Sequence, residues 1–170
     1  MCGGPETVHR PRGGALVALN PPRGASPTAL LISGDLTFHT PGQPNSTEAT
    51  HARLAFDEEQ PERLLPSDLC VIIHTGGDLT MKTSDCGLFR QLRLSATRSV
   101  GGGGGGGGAQ DAFFEWPLPQ ALSLQVGSDG IIGRRVSVYA EEDGDEQRER
   151  TVLAEGIVGF NSWAAERASL

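Results

Sequence analysis

The chain has 170 residues, enough for one domain with a real core, and its 24 glycines and 11 prolines cut it into short segments. A net charge of −7 with no basic stripe excludes a protein that tracks nucleic-acid phosphates, though not one that takes a single nucleotide. No apolar run approaches the length of a membrane span, and the N-terminus lacks the apolar stretch of a secretion signal.

In chain order, residues 1–14 read as a disordered leader. Strand-length runs follow at Ala15–Leu19, 29–32, 35–39, 51–56, 69–74, 78–82 and 91–96, then at 121–126, 134–140 and 151–153. Turn signals separate nearly all of them: Pro21-Pro22-Arg23-Gly24, Ser33-Gly34, Pro41-Gly42, Gly76-Gly77 and Ser128-Asp129-Gly130. Between two of the runs stand eight consecutive glycines, 101–108. Their conformational entropy keeps them out of a packed element, and no Gly-Lys-Ser/Thr follows to make a phosphate loop, so they read as a surface loop. The acidic stretch 141–150 reads as a solvated linker into a C-terminal arm, 154–170. The expectation is all-β: a single β domain over 15–153, built as a sandwich, barrel or jelly roll.

Cys2, Cys70 and Cys86 have no zinc-like spacing and leave an odd thiol, which points to a reducing intracellular compartment rather than secretion. Outside a secretory route the sequon Asn45-Ser46-Thr47 has no use.

The sequence closes on Gly156-Ile157-Val158-Gly159-Phe160-Asn161-Ser162. As a flexible glycine-rich arm such a segment can bring backbone N–H groups to a phosphate, lay Phe160 over a flat ring and hydrogen-bond an oxygen through Ser162. Set beside four upstream segments, it resembles the last of the five motifs of the dUTPase family. Ser33-Gly34-Asp35-Leu36 resembles the first, Ala-Gly-x-Asp-Leu. Leu65-Pro66 with Val71-Ile72-Ile73-His74-Thr75-Gly76 resembles the second, Leu-Pro and then Pro-Arg-Ser-Gly. Thr83-Ser84-Asp85-Cys86-Gly87-Leu88 resembles the third, Val-Ile-Asp-x-x-Tyr. Gly133-Arg134-Arg135-Val136-Ser137-Val138 resembles the fourth, Gly-Asp-Arg-Ile-Ala-Gln. Glu155 to Ser162 resembles the closing Arg-Gly-x-Gly-Gly-Phe-Gly-Ser. The likeness spans most of 15–163 and rests on order and spacing. It is strongest toward the divergent dUTPase-related proteins of large DNA viruses such as herpesviruses and adenoviruses.

That resemblance implies a dUTPase-like β-barrel or jelly roll with a flexible arm, assembled as a homotrimer that shares its sites between subunits. The family hydrolyses dUTP to dUMP and pyrophosphate, with a carboxylate activating water at the α-phosphorus of a Mg²⁺-bound triphosphate. By position Asp35 would serve the metal and the water, and Asp85 would lie beneath the deoxyribose, as the catalytic pair. Thr75, Gly76, Leu88, Arg135, Gly159, Phe160 and Ser162 would contact substrate. A Mg²⁺ that keeps its waters needs only one or two carboxylates.

The departures fall on the phosphate grip. Leu88 stands where the family has Tyr, His74 where it has Arg, Val138 where it has Gln, and Glu155 reverses the charge of the arm's Arg. Each lost charge-assisted hydrogen bond costs roughly 1.5–3 kcal/mol, so two or three remove several orders of magnitude in rate or affinity. The expectation is therefore a catalytically degenerate module acting through a host protein partner, with an active divergent dUTP diphosphatase as the alternative. A generic β-sandwich is the third reading, in which Asp35 and Asp85 are turn acids lying far apart and Phe160 anchors a docked tail.

Overall fold

The computed structural model describes residues 11–25, 32–56, 68–95, 113–127, 129–141 and 151–161. The poly-glycine run 101–108, most of the leader, the expected strand residues 29–31 and Ser162 lie outside them. Among the described residues nine strands run β1 Ala15–Leu19, β2 Gly34–His39, β3 Glu48–Phe56, β4 Asp68–Ile73, β5 Arg90–Ser95, β6 Phe113–Val126, β7 Gly130–Ile132, β8 Arg135–Ala140 and β9 Val152–Phe160. The described residues contain no α-helix, only a single short 3-10 turn at Thr83–Asp85. The chain is all-β.

The strands form one mixed sheet in the order β5-β4-β8-β9-β1-β2-β3-β6-β7, with β6 and β7 parallel and the other neighbours antiparallel. It is not closed into a barrel, since β5 and β7 are its two ends. Alternation sets the faces. Ala15, Val17 and Leu19 of β1, Leu36 and Phe38 of β2 and Val136 and Val138 of β8 all point to one side. There they pack into a single core with Leu69, Val71, Ile73, Leu92 and Leu94 from one end of the sheet and Trp116, Leu122 and Ile131 from the other. The sheet therefore curls around its own core. Trp116 fastens the curl, its Nε1 donating to the Ser95 carbonyl at the tip of β5, 2.8 Å away.

Two expectations change here. Residues 154–160 are not an arm: β9 begins at Val152 and is paired on both sides, by β8 and by β1. Its Gly156 answers a packing demand, because a Cβ there would come within 2.4 Å of the Ala18 carbonyl oxygen and 2.7 Å of Val17 Cγ1. Close backbone approach, not flexibility, explains that glycine. The described part of the expected leader, residues 11–14, is held in place. Asn161 Nδ2 donates to the carbonyls of Pro11 (2.7 Å) and Gly13 (2.8 Å), and Asn161 N donates to Gly14 O (3.0 Å). Residues 13 and 14 must be glycine for this, since both have positive φ and a Cβ would strike Pro44 O and Phe38 O.

Two further segments differ from their sequence reading. Residues 78–82 form no strand but part of the long loop after β4. Conversely β6 starts at Phe113 rather than 121, although it contains Pro117 and Pro119. Pro117 stands opposite His51 of β3 and Pro119 falls in the register shift of that ladder, and neither has a described strand on its other side, the edge-and-bulge setting in which a strand tolerates proline.

Candidate functional site

The loop between β4 and β5, residues 74–89, gathers most of the candidate residues. It carries Thr75, Gly76, Asp85 and Leu88 and lies against the start of β8, where Arg135 sits. Gly76 N donates to Cys86 O and Arg135 N to Gly76 O, each at 2.9 Å, while Phe89 N closes the loop onto Ile73 O at 2.8 Å. Gly87 is required by its φ of +72° and by the Thr75 side chain, which a Cβ would meet at 2.9 Å. Arg134 ties the loop to the next turn, donating to Thr75 O, Gly127 O and Gly130 O while its guanidinium lies 3.9 Å above the Phe89 ring.

Beneath the loop, on the face of the sheet turned away from the core, lies a buried polar cluster: His74, Cys86, Arg135, Ser137 and Glu155. Register brings these together. Ser137 is opposite Glu155, and Arg135, two residues before it, points to the same side. Arg135 Nη2 donates to Glu155 Oε2 at 2.6 Å, and Nη1 to Met81 O (2.7 Å), Asp78 O (3.1 Å) and Cys86 Sγ (3.4 Å). Burial alone would lower the guanidinium's pKa, but the bonds to Glu155 and Cys86 reverse that and hold it above its ordinary value. Only 4% of Arg135 is exposed, so it meets no solvent-borne phosphate.

The other candidates are divided. Thr75 and Asp85 face solvent on the loop, and Leu88 is 62% exposed beside them. Asp35 is on β2, paired with Ala18 and Ala55, with β1, β9 and β8 between it and the loop. Four interstrand steps from β2 to β4, the strand that leads into the loop, amount to about 19 Å of sheet. Gly159 and the 60% exposed Phe160 end β9, opposite Leu16 and Ala15. One chain thus assembles Thr75, Gly76, Asp85, Leu88 and Arg135, and leaves Asp35, Gly159 and Phe160 elsewhere. Among the described residues no three His, Cys, Asp or Glu side chains are grouped to hold a metal ion.

Sequence reasoning missed two polar groupings. One is the buried cluster itself, whose only signal was polar Arg135 and Ser137 alternating with Val136 and Val138. Alternation normally announces a solvated face, and here a loop covers it. The other is on the outer face of β2, β3 and β6, where His39 Nε2 lies 2.7 Å from Glu115 Oε1 and the His51 ring is 6.4 Å away. Burial lowers the His39 pKa, and Arg53 and His51 add to that against the pull of Glu115.

A scan against known protein families finds no match, and no curated protein matches the chain. Among the described residues no helix is long and apolar enough to cross a membrane.

Proposed function

We propose that this chain is a dUTPase-like module that has given up phosphate chemistry and works by binding another protein. The observation that carries this reading is the ion pair of Arg135 and Glu155. The cation that the motif resemblance assigns to phosphate is held inside by the residue that replaces the arm's arginine. The guanidinium donates through both Nη atoms to a carboxylate, two carbonyls and a sulfur, and its Nε is buried as well, so it is not presented to a triphosphate in solution. On this reading the open sheet is one subunit of a jelly-roll homotrimer, of viral origin and intracellular, whose partner is a host protein.

The second reading is an active divergent diphosphatase using Mg²⁺ and dUTP. What favours it is the exposure of Asp85, Thr75 and Leu88 on a single loop. Because β1, β9 and β8 separate Asp35 from Asp85 in one chain, that reading needs the two carboxylates to meet between copies. Incubating the purified protein with dUTP and Mg²⁺ distinguishes the two. The expected result is no pyrophosphate above the uncatalysed background. Turnover in the ordinary enzymatic range, on the order of 1–10³ s⁻¹, would overturn the proposal.

A further inference from the structure

His74 is placed as a titratable fastener for the loop that follows it. Its backbone N–H donates to Arg135 O at 2.8 Å, and its imidazole is 3% exposed. Nδ1 lies 2.8 Å from Gly87 O, on the returning limb of the same loop. A carbonyl only accepts, so Nδ1 carries the hydrogen. The lone pair of Nε2 then accepts from the Ser137 hydroxyl, 2.9 Å away on β8. The neutral ring is therefore satisfied at both nitrogens, and it bridges loop 74–89 to the sheet. A second proton on Nε2 would force the Ser137 hydroxyl to turn from donor to acceptor. It would also create a buried charge in company with the Arg135 guanidinium.

The groups around the ring decide how that charge is received. From β8 it meets Arg135, and from β9 Glu155, whose carboxylate is already bonded to Arg135. From the loop comes the Cys86 thiol, itself bonded to Arg135, while Asp78 contributes a backbone carbonyl and turns its exposed carboxylate to Thr80. On β4 the same face carries Ile72, then Cys70 and Asp68 further along. The remaining attachments of the loop, through Arg135 and Arg134, do not change charge in the physiological range. Among the described groups under this loop, His74 is the one whose ordinary titration falls near pH 6.5.

We propose that His74 makes loop 74–89 an acid-released segment, closed on the sheet near neutral pH and opening locally when the imidazole takes a second proton. Opening exposes the polar cluster and frees Leu79, Met81 and Leu88, already partly exposed, to move together. The direction agrees with the ring's electrostatics. Burial lowers the His74 pKa, the bond to Gly87 O pulls it up, Arg135 lowers it and Glu155 raises it, and the balance lies below 6.5. A group whose pKa is lower in the closed state than in the open one favours closure above the open value of about 6.5. It loses that contribution as pH falls toward the closed value. This inference does not depend on the dUTPase-like reading.

Amide hydrogen exchange on the full chain at pH 7.5 and 5.5, with intrinsic rate differences removed, tests it. Protection over residues 75–88 is expected to fall in acid, by up to about tenfold per pH unit for one proton. Strands β1 and β2 should change less. Carrying His39→Gln in every protein removes the other buried imidazole from the comparison. His74→Gln, which can donate to Gly87 O and accept from Ser137, should leave loop protection independent of pH. Should that variant not fold, Ser137→Ala serves instead: without the hydroxyl as acceptor a second proton on Nε2 is left unpaired in the closed state, so the loss of loop protection between pH 7.5 and 5.5 should be larger than in wild type. Equal loop protection at both pH values, an equal loss across the whole sheet, or an unchanged pH response in the folded variant each overturns the proposal.

Discussion

Replacing Arg135 with methionine is expected to destabilise the fold by about 3–5 kcal/mol, because it strands the buried Glu155 carboxylate and unties the Asp78 and Met81 carbonyls. Against a typical domain stability of 5–15 kcal/mol that is a large fraction. The doubly substituted Arg135→Met, Glu155→Leu protein removes both charges and should be more stable than the single variant, since no orphaned carboxylate remains. Urea unfolding of wild type, single and double variants measures this directly. A single variant within about 1 kcal/mol of wild type would mean that Glu155 reaches water easily, as exposed ion pairs do. That outcome would also undercut the functional reading, which rests on Arg135 being committed to the interior.

The second large effect is in the core. Phe38 on β2 has no exposed surface and stands between β1 and β3, opposite Ala15 and Ala52. Its neighbours across the sheet are alanines, so the ring fills space that they leave. Phe38→Ala is expected to cost about 3–5 kcal/mol, with a cavity that the paired strands cannot collapse. Phe38→Leu should cost markedly less because most of the volume stays. A fall in the urea midpoint at unchanged slope would identify lost stability rather than a change in what unfolds. A loss below about 1 kcal/mol for Phe38→Ala would contradict the single core that spans both ends of the sheet.

Much of this sheet could be read from local pattern. Ala15–Leu19 and the starts of β2, β4, β5 and β8 announced themselves by apolar runs between glycine and proline turns. The failures have identifiable causes. Pro117 and Pro119 hid the first part of β6, because a proline's meaning depends on whether its strand has a neighbour on that side. Gly156 and Gly159 made β9 look like an arm, since a sequence does not distinguish a glycine needed for close approach from one that confers freedom. Residues 78–82 alternate like a strand, yet their carbonyls are claimed by Arg135 rather than by a neighbouring strand.

The site was legible in composition but not in arrangement. Thr75, Gly76, Asp85, Leu88 and Arg135 do share one region, because β4, its loop and the start of β8 are neighbours across the sheet. What the motif order could not reveal is that Arg135 points under the loop and that Glu155, two positions before Ile157 (the residue opposite Arg135), is the group that neutralises it. Glu155 looked like a repulsive substitution beside phosphates. In the folded chain it is the counter-ion of a buried arginine.

The most direct test of this account is isothermal titration of the intact protein with a non-hydrolysable dUTP analogue and Mg²⁺, with dUMP as the comparison. The account predicts no heat of binding at millimolar ligand, because the Arg135 guanidinium is buried and paired with Glu155. Micromolar binding of the triphosphate analogue, about 8 kcal/mol of association free energy, would contradict it and restore a working nucleotide site.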